Sequence, residues 1–277
     1  MGPRAEVDVA ILGAVPQEIG TLTELLETCR VFPFRCQTIW MGRVANLSVL
    51  MGATGLGKVN AAITTASLLE RFAIAQVWNV GCAGAYPEGP LKVGDVLVTD
   101  KTLCGDEGIM TEKALHPVSE IGIPLVFDDG EEFFDHFPPN WNADLEAIIQ
   151  KTPPGIYRAD QDLFRLVQGP SLTVSMVSGD PLVAGKRFRH YGAYAENMEG
   201  SAVAQACRRF HIPAVECRGM SNLAGVRAKE SWQMEKSIAH CHGIVINWLE
   251  ALKSLTVPGP VTSPQQEERV MTTGEKI

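Results

Sequence analysis

The chain has 277 residues, of which 45% are hydrophobic and 20% are charged, so it can bury one ample core. Its 24 lysines and arginines stand against 32 aspartates and glutamates, and the formal net charge of −8 gives no general affinity for a phosphate backbone. We therefore expect neither a nucleic-acid partner nor a membrane partner.

Strands and helices alternate along the chain, as is typical of an α/β fold. Continuous apolar runs indicate buried strands, and apolar residues at helical spacing or strong helix formers indicate helices. The predicted elements, in chain order, are a strand at 7–14, a helix at 17–29, a strand at 46–51, a helix at 58–71, strands at 75–80 and 93–103, a helix at 143–150, a strand at 171–177, a helix at 201–210, a strand at 214–220 and a helix at 232–252.

One domain is predicted over residues 1–255, and it carries a long insertion. Residues 104–140 mix Gly, Pro, Asp and Glu with short apolar clusters, so we predict an insertion over one sheet edge and consider it a candidate substrate lid. Residues 256–277 are rich in Pro, Thr, Ser, Gln and charge, which predicts a disordered tail.

Cysteine usage and the absence of a targeting pattern favour the cytoplasm. The first residues contain no apolar signal-peptide core, and no long uncharged apolar stretch follows. The seven cysteines are scattered and form no CxxC pair, which argues against a disulfide framework and a structural zinc site. We expect a cytoplasmic protein with reduced thiols that uses neither a metal nor a cofactor.

Three polar groups follow one another near the ends of predicted elements. Glu199 stands at a helix start, Arg218 lies within a largely apolar run, and Asn222 comes shortly after it. In a crevice of an open α/β sheet, a carboxylate can hold two sugar hydroxyls and an amide can contact a purine edge. These residues predict a nucleoside pocket, although a helix-capping acid is an equally good interpretation of Glu199 on spacing alone.

Three other features have simple structural alternatives. Residues 52–59 nearly match the GxxxxGK[ST] phosphate loop, but Val59 has no hydroxyl for Mg²⁺, so a close-packed glycine turn is the better interpretation. Glu18 opens a predicted helix, where an ionised carboxylate can orient a water, and a solvated first-turn glutamate is the alternative. Cys82 has small neighbours that let backbone approach a ligand, and it is more typical of a packed thiol than of a nucleophile.

Six short motifs occur in one order and together resemble the nucleoside phosphorylase and nucleosidase superfamily. They lie at 11–18, 54–62, 81–84, 91–96, 177–180 and 198–200, and the resemblance covers roughly residues 7–253. Within the superfamily, residues 196–204 and 218–227 are similar to futalosine hydrolases of the menaquinone pathway.

The resemblance implies a central mixed, partly barrel-like sheet flanked by helices, a homodimer or larger homo-oligomer, and cleavage of an N-ribosyl bond without metal or cofactor. It also implies roles for the residues that match the motifs. Glu18 corresponds to the carboxylate that activates water, Glu199 to the one that binds ribose hydroxyls, and Met198 to the residue that packs on the sugar. Arg218 corresponds to the cation near the water site, whereas Cys82 replaces the serine that nucleosidases commonly carry.

The first loop separates hydrolysis from phosphorolysis. A phosphorylase needs cations around its phosphate, but this loop offers Pro16, Gln17 and Glu18. Because a carboxylate repels phosphate and can activate water, hydrolysis is predicted.

Asn222 bears on the identity of the base. Methylthioadenosine/adenosylhomocysteine nucleosidases carry an aspartate there, which suits adenine when it is protonated. An amide can donate to a 6-oxo group and accept from the N7–H that forms as the base leaves. Asn222 thus favours hypoxanthine, and the predicted reaction converts futalosine and water into hypoxanthine and dehypoxanthine futalosine. Arg227 is a candidate for binding the benzoate carboxylate, with a solvated surface arginine as the alternative.

Other functions fit the same motifs. Another purine nucleosidase, acting on inosine, methylthioinosine, methylthioadenosine or adenosylhomocysteine, would share most of the site and differ mainly in its 5′ contacts. A nucleoside-binding sensor would need only the ribose and base contacts. The presence of both Glu18 and Glu199 argues against the sensor, because binding alone does not require a water-activating carboxylate. The expected partner is therefore a small-molecule nucleoside.

Overall fold

The computed structural model describes residues 4–112, 114–159 and 161–256. The predicted tail, 256–277, lies outside them except for Thr256, which is the last residue of the final helix. The strands within these ranges are β1 Glu6–Val7, β2 Val9–Gly13, β3 Glu27–Phe34, β4 Gln37–Val44, β5 Leu47–Ala53, β6 Ala73–Ile74, β7 Val77–Ala85, β8 Val96–Cys104, β9 Ile109–Met110, β10 Leu115–His116, β11 Val126–Asp128, β12 Glu131–Phe133, β13 His136–Phe137, β14 Gly155–Ala159, β15 Asp162–Thr173, β16 Ala195–Asn197 and β17 Ala214–Leu223. The helices are α1 Gly20–Thr23, α2 Lys58–Arg71, α3 Ala143–Gln150, α4 Pro181–Tyr191, α5 Gly200–Arg209 and α6 Met234–Thr256. Across the described segments, every helix is too short or too polar to cross a membrane.

The central sheet is mixed, and part of it closes on itself. Its path runs β13-β8-β15-β16-β7-β2-β5-β4-β3, and β14 joins through β15. β17 pairs in parallel with β7 and antiparallel with β8, so β8, β15, β16, β7 and β17 form a closed ring. This confirms the predicted α/β fold with a partly barrel-like sheet flanked by helices.

Apolar side chains cover both faces of the open part of the sheet. On one face α6 packs against β7 and β17, and the rings of Trp78 and Trp248 meet edge-on with centroids 5.5 Å apart. On the other face, Leu68 of α2 and Val203 of α5 share a cluster with Leu12 of β2. All five residues of β2 are buried, as expected for a central parallel strand whose successive side chains serve two cores.

The segment after Glu18 shows that the predicted helix at 17–29 is wrong. A short 3₁₀ turn, Pro16–Glu18, is followed by the four-residue α1, and the chain then enters β3. β3 pairs with β4 as an antiparallel hairpin at the sheet edge, and this pairing supplies its backbone hydrogen bonds in place of a helix. The apolar residues whose spacing suggested a long helix lie in a helix of only about one turn.

A strand boundary and a missed helix also separate the structure from the prediction. The strand predicted at 171–177 begins much earlier, as β15, and α4 was missed. Asp180 caps α4 by accepting from two backbone N–H groups, and Gly192 ends it with φ of 66°. The buried residues of α4 are Ala184 and Gly185, so the helix has start and stop signals but no strong apolar periodicity.

The insertion at 104–140 forms short hairpins beside β8. β9 pairs with β10, β11 pairs with β12, and β13 pairs antiparallel with β8. Lys58, in the first turn of α2, forms ion pairs with Asp106 and Glu107 near the start of the insertion. The segment is thus fastened to both the sheet and α2, and its role as a lid stays a prediction.

Close packing between β17 and α6 gives a test of the fold. A Cβ added at Gly219 would collide with the backbone oxygen of Ser237. We expect Gly219→Ala to destabilise the protein by about 1–3 kcal/mol, because the added Cβ fits only if the backbone of β17 and that of α6 move apart. Thermal unfolding followed by circular dichroism measures this. Gly20→Ala is the matched control, because outside its chain neighbours and its own helix backbone no atom lies within 4 Å of the added Cβ. Equal melting temperatures for both variants would contradict the packing.

Candidate active site

A cavity of about 380 Å³ opens near the carboxyl ends of β2, β7, β16 and β17. Open α/β sheets bind their ligands at this kind of edge. Of the residues singled out from the sequence, all except Arg218 belong to the cavity wall. The wall consists of Ala14, Val15, Glu18, Leu56, Cys82, Ala83, Gly84, Val177, Glu196, Asn197, Met198, Glu199, Ser221, Asn222, Arg227, Trp232 and Met234.

Glu18 is held in one orientation by four donors. Its Oε2 accepts from the backbone nitrogens of Ala14 at 2.7 Å and Val15 at 3.4 Å. Its Oε1 accepts from the backbone nitrogen of Cys82 at 2.9 Å and from the Cys82 thiol at 3.2 Å. Glu18 is only 4% exposed, so the alternative of a solvated first-turn glutamate does not describe it. A carboxylate fixed in this way can hold a small polar molecule at a defined position in the cavity.

Helix α6 supports the Glu18 turn from behind. The Nε2 atom of His242 lies 2.8 Å from the Glu18 carbonyl oxygen, and its Nδ1 contacts the hydroxyl of Thr21. A neutral ring with its proton on Nε2 satisfies both contacts, since it donates to the carbonyl and accepts from the hydroxyl. Burial lowers the pKa of His242, which favours this neutral form.

Arg218 lies behind the cavity wall and has no exposed surface. Its Nη2 is 3.8 Å from Glu199 Oε2, and its Nε is 3.5 Å from Glu216 Oε1. A Cβ added at Gly81 would collide with the Glu18 carboxylate and approach Arg218 Nη1 to 2.8 Å, so the glycine allows these charges to meet. Burial opposes the charge, but the surrounding carboxylates raise the pKa of Arg218. Arg218 is therefore a buried counter-charge and not a group on the cavity surface.

Glu199 faces the cavity from the start of α5. Its Oε1 accepts from the backbone nitrogen of Gly57 at 2.9 Å, and Gly57 adopts a φ of 89° that favours glycine. Burial raises the pKa of Glu199, while Arg218 and the Gly57 N–H act in the opposite direction. The contact to Arg218 is loose, which leaves carboxylate lone pairs available to hydroxyl donors in the cavity.

Asn222 lies in the part of the wall formed by the end of β17. Its Oδ1 accepts from the hydroxyl of Ser221 at 2.8 Å, and its Nδ2 donates to the backbone oxygen of Leu223 at 2.9 Å. These contacts use one hydrogen and one lone pair of the amide. One hydrogen and one lone pair remain for a ligand. The half-buried Met198 adds an apolar surface to the same wall.

Arg227 and Trp232 stack on each other in the cavity wall. The guanidinium carbon of Arg227 lies 4.8 Å from the ring centroid of Trp232, and the indole nitrogen donates to the backbone oxygen of Val226 at 3.2 Å. Among the described residues, Arg227 is the sole lysine or arginine in the wall. It is exposed, so its charge can reach an anionic group at the mouth of the cavity.

Sequence reasoning assigned no role to Glu196, which also lines the cavity. Its Oε1 accepts from the backbone nitrogen of Ser178 at 2.8 Å, and its Oε2 accepts from the Ser178 hydroxyl at 2.7 Å and the Tyr86 hydroxyl at 3.0 Å. Arg187 of α4 lies 3.3 Å from the same oxygen. Glu196 thus fastens β16 to α4. Because Glu196 stands close to Glu199 in the sequence, it could have been predicted as a site residue. Its hydrogen-bond and ion-pair partners lie in other segments of the chain, and no local sequence pattern indicates them.

One group of described residues is spaced for a cation, and it lies outside the cavity wall. Ligand atoms of Asp128, Asp129 and His211 lie within 4.8 Å of one another. Asp128 is already paired with Arg208 at 3.7 Å and with His211 at 3.2 Å. We interpret this group as an ion-pair cluster and assign it no metal.

Comparison with known proteins identifies the family. The sequence profile of the Phosphorylase superfamily matches residues 8–250. The chain belongs to this superfamily. The 5′-methylthioadenosine/S-adenosylhomocysteine nucleosidase of Bacillus thuringiensis (strain Al Hakam) is 30% identical over 250 residues, which span 88% of this chain and 99% of the relative.

Solved structures of the superfamily share the fold. The nucleosidase of the same name from Colwellia psychrerythraea 34H, in complex with adenine, has a TM-score of 0.73 and 26% identity, covering 90% of this chain and 97% of its own. The Neisseria meningitidis enzyme, in complex with methylthio-immucillin-A, has a TM-score of 0.73 and 25% identity, covering 88% and 99%.

These relationships make this superfamily member an enzyme of the N-glycosyl hydrolase class. They support the superfamily resemblance seen in the sequence. The relatives are named methylthioadenosine/adenosylhomocysteine nucleosidases and not futalosine hydrolases, so the comparisons do not support the finer resemblance.

The thiol of Cys82 gives a chemical test of the site. Burial, followed by the Glu18 carboxylate, raises the pKa of Cys82 well above its ordinary value, so the thiol stays protonated at about pH 8. We expect iodoacetamide to label the exposed Cys29 and Cys36 at least about tenfold faster, as measured by peptide mass spectrometry. Glu18→Gln removes the negative charge and should speed labelling of Cys82. Equal rates at all three cysteines in the wild type would contradict this electrostatic environment.

Proposed function

We propose that this enzyme is a purine nucleosidase that hydrolyses an N-ribosyl bond, as its methylthioadenosine/adenosylhomocysteine nucleosidase relatives are named to do. The observation that carries the proposal is the Glu18 carboxylate, which four donors fix in the wall of a cavity large enough for a nucleoside. A water bound to this carboxylate would be activated for attack by partial loss of its proton.

The charges around the cavity favour water over phosphate. Glu18, Glu196 and Glu199 all belong to the wall, whereas Arg218 is buried between Glu199 and Glu216. A phosphate entering this region would meet three carboxylates, and Arg227 at the mouth is the sole lysine or arginine among the described residues of the wall. Like charges repel strongly in a partly buried site. Hydrolysis is the reaction that this arrangement supports.

The proposed reaction uses the two carboxylates at different points of the nucleoside. Glu199 accepts hydrogen bonds from the ribose hydroxyls, and Met198 packs against the sugar. As the bond from C1′ to the base nitrogen breaks, its electrons leave with the base and the ribosyl centre becomes oxocarbenium-like. The water held by Glu18 bonds to C1′ and gives up a proton to the carboxylate. Asn222 contacts the departing base, which takes up a proton from solvent. Glu18 returns to solvent the proton that it received from the attacking water, so the net reaction consumes one water.

Glu18→Gln tests the water-activating role. The amide preserves the shape of the side chain but cannot take a proton, so we expect kcat to fall by about 10²- to 10⁴-fold with little change in nucleoside binding. Steady-state kinetics and equilibrium binding of a nucleoside measure the two quantities. Glu24→Gln, at an exposed position a few residues away, is the matched control and should match the wild type. A Glu18→Gln variant with near-normal kcat would refute the role.

Base release measured by liquid chromatography tests the function itself. Methylthioadenosine, adenosylhomocysteine, inosine, futalosine and aminodeoxyfutalosine are compared with and without phosphate. Release of a purine base from any of them without phosphate supports the nucleosidase proposal. A strict phosphate requirement would refute hydrolysis, and inertness toward all five would favour a nucleoside-binding sensor.

A second candidate substrate class is supported by Asn222. Its remaining hydrogen and lone pair suit a 6-oxopurine, whose 6-oxo group accepts and whose N7–H donates as the base leaves. Arg227, exposed in the cavity wall, could bind the carboxylate of a 5′ substituent such as the benzoate of futalosine. Futalosine is therefore the specific 6-oxopurine candidate. The relatives' names favour adenine nucleosides, and the base-release assay separates the two classes.

Asn222→Asp tests base selection independently of the reaction type. A protonated aspartic acid can donate to N7 while accepting from the 6-amino group of adenine, so the variant should gain adenine release at the expense of hypoxanthine release. Sites built for one hydrogen-bond pattern discriminate by up to about 10⁴ to 10⁵ in kcat/KM. The ratio of kcat/KM for futalosine or inosine to that for methylthioadenosine is the measurement. An unchanged ratio would remove Asn222 from base recognition.

A homo-oligomer, expected from the resemblance, stays a prediction. Three exposed apolar side chains form a stripe here, with Leu56 just before α2 and with Val59 and Ile63 about one turn apart in the helix. Leu56 also belongs to the cavity wall, so a second copy on this stripe would lie beside the substrate. We propose this stripe as part of a homodimer interface.

A further inference from the structure

Glu216 lies behind the active-site cavity and has two polar neighbours. It is 5% exposed, and its Oε1 accepts from the side-chain amide of Asn197 at 2.8 Å. The same oxygen lies 3.5 Å from Arg218 Nε. Glu216 does not line the cavity, so any effect it has on a nucleoside must pass through these neighbours.

Asn197 connects Glu216 to the backbone of Glu199. Its Oδ1 accepts from the backbone nitrogens of Glu199 at 3.1 Å and Gly200 at 2.8 Å, while its Nδ2 donates to Glu216. An amide presents its oxygen on one side and its nitrogen on the other. The Thr173 hydroxyl also donates to Asn197 Oδ1, at 3.2 Å. Glu216 therefore supplies the acceptor on the nitrogen side of an amide whose oxygen side faces three donors, and together they select the orientation in which Asn197 holds the turn that carries Glu199.

The negative charge of Glu216 also competes with that of Glu199 for the positive charge of Arg218. The guanidinium is fully buried, and among the described residues its three nitrogens have no partner at hydrogen-bond geometry. A buried cation without compensation is strongly unfavourable. With Glu216 at 3.5 Å and Glu199 at 3.8 Å, Arg218 is shared between two carboxylates. Without Glu216, Glu199 would be the nearest carboxylate left to Arg218, with Glu18 across Gly81, so Arg218 would compete more strongly with ligand hydroxyls for Glu199.

A small chamber lies on the far side of Glu216. Its volume is about 40 Å³, and its lining includes Asn79, Thr99 and Glu216. Each of these residues is at least nine-tenths buried and has a side-chain atom without a hydrogen-bond partner in the described structure, namely Asn79 Nδ2, Thr99 Oγ1 and Glu216 Oε2. A chamber of this size with three unpaired polar atoms in its wall can hold a water bonded to two or three of them.

We propose that Glu216 is a positioning residue for Glu199, acting through Asn197 and Arg218, and that water bound in the chamber bridges its second oxygen to Thr99 and Asn79. The proposal rests on the nucleosidase function and on ribose binding by Glu199. In this proposal Glu216 is a third, buried carboxylate beside Glu18 and Glu199. It orients Glu199 and keeps the Glu199 carboxylate available for the ribose hydroxyls.

Two variants separate the orientation from the charge. Glu216→Leu keeps volume but removes both the acceptor and the charge, so kcat/KM should fall about ten- to a hundredfold. Glu216→Gln keeps an acceptor for Asn197, so most of that loss should be recovered. Glu146→Gln, on the exposed face of α3, is the matched control and should leave kcat/KM unchanged. Equal kcat/KM in the wild type and Glu216→Leu would overturn the orienting role.

The pH profile of Glu216→Gln tests the charge. Burial is the main cause that raises the pKa of Glu199, Arg218 and the Gly57 N–H lower it, and the negative charges of Glu18 and Glu216 raise it further. Removing the charge of Glu216 lowers the pKa, so the acid limb of kcat/KM should move by roughly 0.5 pH unit or more to lower pH. A limb that stays in place would overturn the charge-sharing argument. The pH profile tests the influence of Glu216 on Glu199 even if Glu216→Leu does not fold.

A high-resolution crystal structure tests the water. Density for water within hydrogen-bond distance of Glu216 and Thr99 supports the bridge, and an ordered chamber without such density overturns it. The proposal can also fail separately from the function. If the wild type releases no purine base, the function is wrong, whereas an active wild type with unaffected Glu216 variants refutes positioning alone.

Discussion

One buried guanidinium organises the active site. Arg218 has no exposed surface and faces Glu216 and Glu199, with Glu18 just beyond Gly81. A cation in this position is tolerated only because carboxylates surround it, and the carboxylates are tolerated together because the cation lies between them. The consequence is a concentration of negative charge toward the cavity, where a ribosyl centre with developing positive charge would be stabilised.

Closure of the strand ring brings these charges together. β17 carries Glu216 and Arg218 and pairs with both β7 and β8, so its side chains enter a space already bounded by other strands. Glu18 follows β2, and Glu199 follows β16. Two glycines permit the close approach, since Gly81 leaves room for the Glu18 carboxylate and Gly57 presents its N–H to Glu199.

Under the proposed function, reaction type and substrate choice would be set by different parts of the chain. Glu18 and Glu199 are fixed largely by backbone N–H groups, which change little with side-chain identity. Asn222, Arg227 and Trp232 lie at the end of β17 and in the loop that follows, where they contact mainly their own neighbours. Substitutions in this segment can therefore alter the base or the 5′ group without disturbing the hydrolytic end of the site. This separation agrees with the comparisons, which support membership of the superfamily more strongly than they support any single substrate.

The sequence by itself determined the α/β class and most of the buried strands, because apolar runs are local properties of the chain. It also predicted Glu18, Glu199 and Asn222 as site residues from the motif order, and the structure brings all three to one cavity wall. It could not determine that Arg218 lies behind the wall, that Glu196 fastens β16 to α4, or that residues 27–34 form a strand and not a helix. Those outcomes depend on contacts between segments far apart in the chain. Burial, ion pairing and strand pairing depend on where the whole sheet places each residue, so only the tertiary structure decided them.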